Sequence, residues 1–383
     1  MSAVAVVGAG PAGLAVAAML RREGVPSVVL EAGDEPGAAW AWRYDRLRLH
    51  THRRLSALPG HAIPRAYGPW VKRDDVRAYF RDYARAHRLD VRTGTPVERI
   101  EREGEGWVLR TPDGDVAASR VVVATGMNRE PLLPDWPGRA GFTGELVHAR
   151  DYREPSPFAG RSVLVVGSGN TGAEVAVDLH DGGAAPVWLS VRTTPHIVRR
   201  DTAGIPTQAL GILLAKLPRR TVDPIARTLR RISLPDLAAK GLPAKEQPIS
   251  SFVRHPRIPI VDVGIVAAVE RGDVEVVPAV EAFEGAEVVL AGGRRLSPDV
   301  VLAATGFRPA LEPLVGHLGV LDAHGRPLVH VADEHPDAPG LHFVGFTPSL
   351  GGALRRISWE SQTLARAVAA AEAAAPAAAA VTA

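Results

Sequence analysis

Ala3-Val4-Ala5-Val6-Val7-Gly8-Ala9-Gly10-Pro11-Ala12-Gly13-Leu14 decides how the rest of the chain is read. Val4 to Val7 is short and apolar, as a buried strand is. Gly8, Gly10 and Gly13 then fall in the spacing G-x-G-x-x-G, and an apolar helix follows as far as Arg21, Arg22 and Glu23. A second strand, Ser27 to Leu30, ends at Glu31. The first glycine allows a tight turn, the second lets a pyrophosphate approach the backbone, and the third lets helix and strand pack closely. The turn holding Pro11 and Ala12 aims helix N–H groups at phosphate. A carboxylate at Glu31 can accept from ribose hydroxyls.

The pattern recurs about 160 residues later. Ser162 to Val166 reads as a strand, Gly167-Ser168-Gly169-Asn170-Thr171-Gly172 as its loop, and the helix runs to about His180. The next strand, Val187 to Val191, leads not to an acid but to Arg192. An arginine there suits a 2′-phosphate, which a carboxylate would repel. The first loop is therefore expected to take FAD and the second NADPH. VVVATGMN (Val121 to Asn128) and VLAATGFRP (Val301 to Pro309) are apolar strands ending in Ala-Thr-Gly, at Gly126 and Gly306. Each is expected to mark a crossing of the chain between the two nucleotide units.

These patterns predict an α/β protein with two Rossmann-like dinucleotide-binding domains, the NADPH domain inserted into a discontinuous FAD domain. Pro155-Ser156-Pro157 and Gly292-Gly293 suggest the boundaries. Residues 1–155 and 297–383 are assigned to the FAD domain and 156–296 to the NADPH domain. Lys72 to His87 predicts a helix with Val76, Tyr79, Phe80 and Tyr83 on one face. The irregular segment from Trp42 to Trp70, opening with Trp42 and Arg43, should sit near the flavin. Residues 205–262 are expected to be helices and loops that help cover the active site.

The chain of 383 residues has ample length for a large core, and its hydrophobic and charged fractions are those of a globular protein. A net charge of +3 with scattered arginines gives little case for nucleic-acid binding. The densest basic run, Lys216 to Arg231, is interleaved with Leu, Ile and Ala and reads as a solvated helix face. With no cysteine, disulfides, thiolate metal sites and redox-active cysteine pairs are excluded. No other metal-ligand spacing and no Ser-His-Asp set stands out. A strand that begins almost at once leaves no room for a cleavable signal, and no apolar run approaches the ~20 residues of a membrane span. The cytoplasm is the expected location. The Ala-rich tail from Ala367 to Ala383 is expected to be a frayed helix followed by disorder.

Between the two glycine loops lies FTGELVHARDY, Phe142 to Tyr152. Its pattern Phe142-x-Gly144-x-x-x-His148-x-x-x-Tyr152 resembles the fingerprint of class B flavin-dependent monooxygenases. The related Baeyer–Villiger enzymes usually carry Trp at the position of Tyr152, so the resemblance points to the flavin-containing monooxygenase side. VPSVVLE (25–31), YDRLRLH (44–50), IPIVDVG (258–264) and VGFT (344–347, with Gly345) are similar to the YUCCA-type indole-3-pyruvate monooxygenases and their bacterial relatives.

That resemblance implies an enzyme in which NADPH reduces FAD and the reduced flavin forms a C4a-(hydro)peroxyflavin with O2. One oxygen atom then enters a small substrate, an aryl 2-oxo acid being favoured. Amine- and sulfide-oxygenating members tend to place Asn where this chain has His50, a departure that weakens a simple carry-over of N-oxygenation. His50, His148 and Tyr152 are the candidate catalytic residues. The last two are expected to fix the linker so that the NADPH unit presents its nicotinamide correctly. N- or S-oxygenation, an NADPH oxidase and a cofactor-binding module remain alternatives. No residue pattern specifies the substrate or the oligomeric state.

Overall fold

Two sheets, one mixed and one parallel, carry the two glycine loops in the computed structural model, which describes residues 2–202, 204–214, 221–225, 227–228, 234–243 and 258–374. In the first sheet, Ser2–Val7 lies between Ser27–Leu30 and Val116–Val123, all parallel. Val91–Arg92 extends one side. Val116–Val123 is shared along its length: its first half pairs antiparallel with Gly106–Arg110, and its second half parallel with Leu341–Phe343. The sheet therefore joins residues more than two hundred positions apart, and the second sheet is built from the intervening chain.

That second sheet runs Glu275–Val277, Val187–Ser190, Val163–Val166, Val300–Ala303, Glu145–His148, every pair parallel. Its three central strands are buried almost throughout, as strands covered on both faces must be. Glu145–His148 and Val300–Ala303, which the expected boundaries at 155 and 297 leave outside the NADPH unit, pair with each other in this sheet, the first as its edge strand. The turn residues at those boundaries have local roles. Gly292-Gly293 turns a hairpin between Glu287–Leu290 and Arg295–Leu296, and Pro155 packs where a β-carbon on Gly182 would lie. Proline and glycine mark where a chain bends, not which sheet it joins.

The two Ala-Thr-Gly segments do mark crossings. The chain leaves the first sheet at Val123 and returns from the second at Ala303. The outgoing Glu130–Pro131 and the returning Phe307–Arg308 pair antiparallel as a two-stranded ribbon.

The helix Pro11–Arg22 buries every residue from Ala12 to Leu20, being enclosed by the first sheet, the helix Arg73–Ala86 and the C-terminal helix Ala353–Ala374. Arg73–Ala86 matches the predicted helix, with Val76, Tyr79, Phe80 and Tyr83 buried. Its tyrosines also fasten the irregular segment. Leu58 N donates to Tyr79 Oη at 2.8 Å, and Tyr79 and Tyr83 Oη donate to the carbonyls of His61 and Pro59, each at 2.7 Å. Burial pushes the Tyr79 phenol up to about 12, so it remains a donor at neutral pH.

Of residues 205–262, the described part includes the helix Thr207–Leu214 and the strand Ile260–Asp262, which pairs with Ile197–Arg199. Most of the basic run Lys216–Arg231 and residues 375–383 of the tail lie outside the described residues. No helix among the described residues is long and apolar enough to cross a membrane.

Candidate functional site

The two loops have one geometry. A β-carbon on Gly13 would lie 1.9 Å from the carbonyl oxygen of Gly8, and one on Gly172 1.9 Å from that of Gly167. Glycine is obligatory at both because the loop closes on itself there. Gly8 and Gly167 have φ of +99° and +122° and lie against the carbonyls of Ala124 and Ala304. Each Ala-Thr-Gly segment, with Gly126 and Gly306 at its end, thus backs one loop. The middle glycines differ: a β-carbon on Gly10 or Gly169 would meet nothing within 4 Å.

Gly10 and Gly169 also head the helices Pro11–Arg22 and Asn170–Asp181, and neither helix has a side-chain cap. Uncapped first-turn N–H groups beside an open glycine are what a pyrophosphate requires, so both cradles fit a dinucleotide. Thr125 Oγ1, beside the first loop's backing carbonyl, is buried without a hydrogen-bond partner. Pro11 at the first helical position gives up no useful donor. Gly345 brings the end of the returning strand to the start of this helix, where its β-carbon would stand 3.0 Å from that of Ala12.

The flanking residues differ between the loops. Glu31 folds back over the first loop, its carboxylate accepting from Ala9 N at 2.6 Å and Gly33 N at 2.8 Å. Arg192 is exposed just beyond Val187–Ser190 and has no carboxylate partner among the described residues. Ser168 Oγ reaches the carbonyl of Thr193 at 3.4 Å, and Thr171 lies in the first turn of the helix. The Asn170 side chain has another task. It accepts from Val261 N at 2.7 Å and donates to the carbonyl of Pro259 at 3.3 Å, clamping the segment 258–264.

The linker residues are all fasteners of the second sheet. Phe142 packs edge-on against Phe283 at 5.0 Å, and its ring occupies the space a side chain at Gly144 would need. His148, at the end of Glu145–His148, accepts from Arg150 N at Nδ1 (3.0 Å) and donates from Nε2 to the carbonyl of Gly306 (3.1 Å). Burial holds its pKa below the usual histidine value against the pull of that carbonyl, so the ring is neutral. Tyr152 is buried and donates to Asp178 Oδ2 at 2.8 Å. Burial and then that carboxylate push its phenol far up.

Asp178 belongs to a pair not anticipated from the sequence. It and Glu174 lie one turn apart on Asn170–Asp181, and both are buried. Glu174 pairs with His50 Nε2 and accepts from Tyr44 Oη at 3.0 Å. Asp178 receives Tyr152 and Arg46 Nη1, the latter at 3.4 Å and also 2.5 Å from Asp181. The helix of the second loop thereby grips both the linker and the irregular segment of the first unit. The available signal was two acids four residues apart inside an otherwise apolar helix.

Trp42 and Arg43 do not lie alone. Arg43 and Arg150 both lie over the Trp42 ring, at 4.4 and 5.2 Å from its centre, and Phe307 stands 5.7 Å from that ring. Gln208, on Thr207–Leu214, accepts from His52 N at 3.1 Å and donates to the carbonyl of Gly351 at 2.6 Å. It ties three distant segments together beside His50.

The pyridine nucleotide-disulphide oxidoreductase family model matches residues 5–202. An indole-3-pyruvate monooxygenase, YUCCA1 of Oryza sativa subsp. japonica, is 36% identical over 349 residues, 89% of this chain and 86% of the relative. A probable indole-3-pyruvate monooxygenase, YUCCA4 of Arabidopsis thaliana, is 33% identical over 347 residues, covering 89% and 84%. Among solved structures, a flavin-containing monooxygenase from Stenotrophomonas maltophilia superposes with a TM-score of 0.76 at 25% identity, over 97% of this chain and 99% of that one. With no cysteine in this chain, the disulphide chemistry in the family description is not open to it.

Proposed function

The chain belongs to the class B flavin-dependent monooxygenases and is an NADPH-dependent flavin enzyme, and we propose that it oxygenates the carbonyl carbon of an aryl 2-oxo acid. The observation that carries this reading is the doubled cradle. Two phosphate loops share one geometry, one answered by the Glu31 carboxylate and the other by Arg192, which has no carboxylate partner among the described residues. The 2-oxo acid follows the name of the rice relative.

FAD belongs to the unit of the first sheet, residues 2–126 and 309–374. NADPH belongs to the unit between them, boundaries moved outward to follow the strands Glu145–His148 and Val300–Ala303. The N-termini of Pro11–Arg22 and Asn170–Asp181 take the two pyrophosphates. Glu31 takes ribose hydroxyls, and Arg192 the 2′-phosphate. Gly126, Gly306 and Gly345 keep the backbone low where the cofactors pass.

When bound, FAD supplies the redox chemistry, taking hydride from NADPH and delivering one atom of dioxygen. In the overall reaction a C–O bond forms at the carbonyl carbon and its bond to the carboxylate breaks. A 2-oxo acid, NADPH, H⁺ and O2 give the acid one carbon shorter, CO2, NADP⁺ and water. His148 and Tyr152 position rather than transfer protons: a neutral ring holding Gly306 and a high-pKa phenol holding Asp178 brace the second unit, whose Glu174 and Asp178 in turn hold Tyr44, His50 and Arg46 of the first. His50, braced on Glu174, is assigned to proton handling beside the substrate.

The test is NADPH oxidation with aryl 2-oxo acids, sulfides and amines under ¹⁸O2. The expected result is a shortened acid carrying one labelled oxygen, in step with NADPH consumed. Sulfoxide or N-oxide without decarboxylation would move the enzyme to heteroatom oxygenation. Peroxide equal to NADPH with every compound would make it an oxidase. Repeated with NADH, the assay should show Arg192→Ala cutting the preference for NADPH by roughly tenfold.

A further inference from the structure

Three chain segments meet at Trp42. Arg43 lies over its ring and 5.5 Å from the centre of Phe307, Arg150 approaches from the linker, and His148 stands edge-on to Phe307 at 5.1 Å. Arg150 follows Glu145–His148 and Phe307 follows Val300–Ala303. The cluster thus lies at the carboxyl ends of two neighbouring parallel strands, the ligand side of such a sheet.

Nearby arginines are matched to acids: Arg46 to Asp178 and Asp181, Arg73 to Asp45 and Asp74. Neither Arg43 nor Arg150 has a carboxylate partner among the described residues. Asp45 is taken by Arg73, and Asp151 is exposed. Two further arginines hold the cluster's backbone, Arg73 on the carbonyl of Arg43 at 2.7 Å and Arg153 on that of Arg150 at 2.6 Å. Burial depresses the pKa of Arg43, so its charge is held at a cost.

An aromatic face returns to a cation only part of what desolvating the charge costs. Two like charges on one ring add repulsion. His148 is neutral and offers no relief. The missing element is an anion, and a planar guanidinium recognises carboxylate and phosphate oxygens alike.

We propose that Arg43 and Arg150, arrayed over Trp42 beside Phe307, form an oxyanion subsite for the carboxylate of a 2-oxo acid substrate or a phosphate of the nicotinamide dinucleotide. The carboxylate source rests on the substrate reading above; the site itself does not. The guanidinium fork and the aromatic wall fix the anion at the carboxyl ends of Glu145–His148 and Val300–Ala303.

Calorimetric titration of the flavin-loaded full chain tests this without turnover. The probes are phenylpyruvate, the uncharged ketone phenylacetone and NADP⁺. Arg43→Gln and Arg150→Gln should each weaken phenylpyruvate or NADP⁺ by roughly tenfold or more, leaving phenylacetone within about twofold. Whichever anion loses affinity identifies the source. Arg43→Lys, with charge but no fork, should show an intermediate loss, and added salt should weaken the same anion in the wild type but not the ketone. Both anions retained by both glutamine variants at wild-type flavin content, or neither anion bound by the wild type, overturns the subsite. Should Arg43→Gln shed its flavin, an anion affinity indifferent to both salt and Arg43→Lys overturns it. Anion binding with no shortened acid formed would instead sink only the substrate reading.

Discussion

Gly10 and Gly13 are the same residue in the same motif, held for different reasons. At Gly13, as at Gly172, a β-carbon would collide with the loop's own carbonyl at 1.9 Å, so the glycine serves the fold. At Gly10, as at Gly169, the backbone is extended at φ of −72° and −88°, any residue could adopt it, and the space is open. There the open space suits the close approach of a ligand. Gly13→Ala and Gly172→Ala should therefore cost about 3 kcal/mol or more and yield little folded protein. Gly10→Ala should fold to within about 1 kcal/mol of the wild type but purify without flavin. Gly169→Ala should keep its flavin and raise KM for NADPH by roughly tenfold. Flavin absorbance, urea denaturation and steady-state kinetics read all four. A Gly169→Ala enzyme with unchanged KM would show that no phosphate approaches that backbone. These roles were legible because G-x-G-x-x-G is local: one short stretch contains both the turn and the helix it serves.

Along the helix Asn170–Asp181, function is divided by position. Its N-terminus faces the second cradle, and its buried acids Glu174 and Asp178 hold Tyr44, His50, Arg46 and Tyr152. The element heads the proposed phosphate cradle and also grips the first unit, so loosening its grip should misalign the two cofactors without removing either. Tyr152→Phe deletes one donor to Asp178 while preserving the ring's packing on Phe158 at 5.7 Å. The expected cost is about 1–2 kcal/mol of stability, with normal flavin content and more peroxide released per NADPH. Coupling and stability both equal to wild type would remove Tyr152 from any positioning role. The fingerprint spacing pointed to Tyr152, but not to its partner. Asp178 is 26 residues away, and Glu174 lies 124 from His50. Nothing in either stretch names the other.

At the scale of the molecule, the strand Leu341–Phe343 returns the chain to the first sheet after the whole second unit has been built. Its central residue, His342, is 2% exposed. Burial, opposed by Glu334 at 3.5 Å and assisted by Arg120, lowers its pKa from 6.5 to about 4. The folded protein keeps this ring neutral while the unfolded chain protonates it below about pH 6.5. Stability is therefore full at neutral pH and falls as the pH drops from about 6.5 toward 4, by up to about 3 kcal/mol from this group. The depressed pKa of His148 acts in the same direction. Urea midpoints of flavin-loaded wild type and His342→Leu, followed from pH 7.5 to 4.5, should diverge on the acid side, the variant falling less. Parallel curves would mean that His342 titrates normally in the fold.

By itself the sequence determined the two loops, the charge that distinguishes them, the crossing points and the linker fingerprint, since each depends on residues within a few positions of one another. It also placed the core face of Arg73–Ala86, through helical periodicity. Only the tertiary structure decided which sheet Glu145–His148 and Val300–Ala303 join, because an apolar strand carries no record of its neighbour. The same holds for the grip of Glu174 and Asp178 on the first unit, and for the meeting of Arg43, Arg150, Trp42 and Phe307. Those contacts join residues that are strangers along the chain, and they form only when both sheets have been laid down.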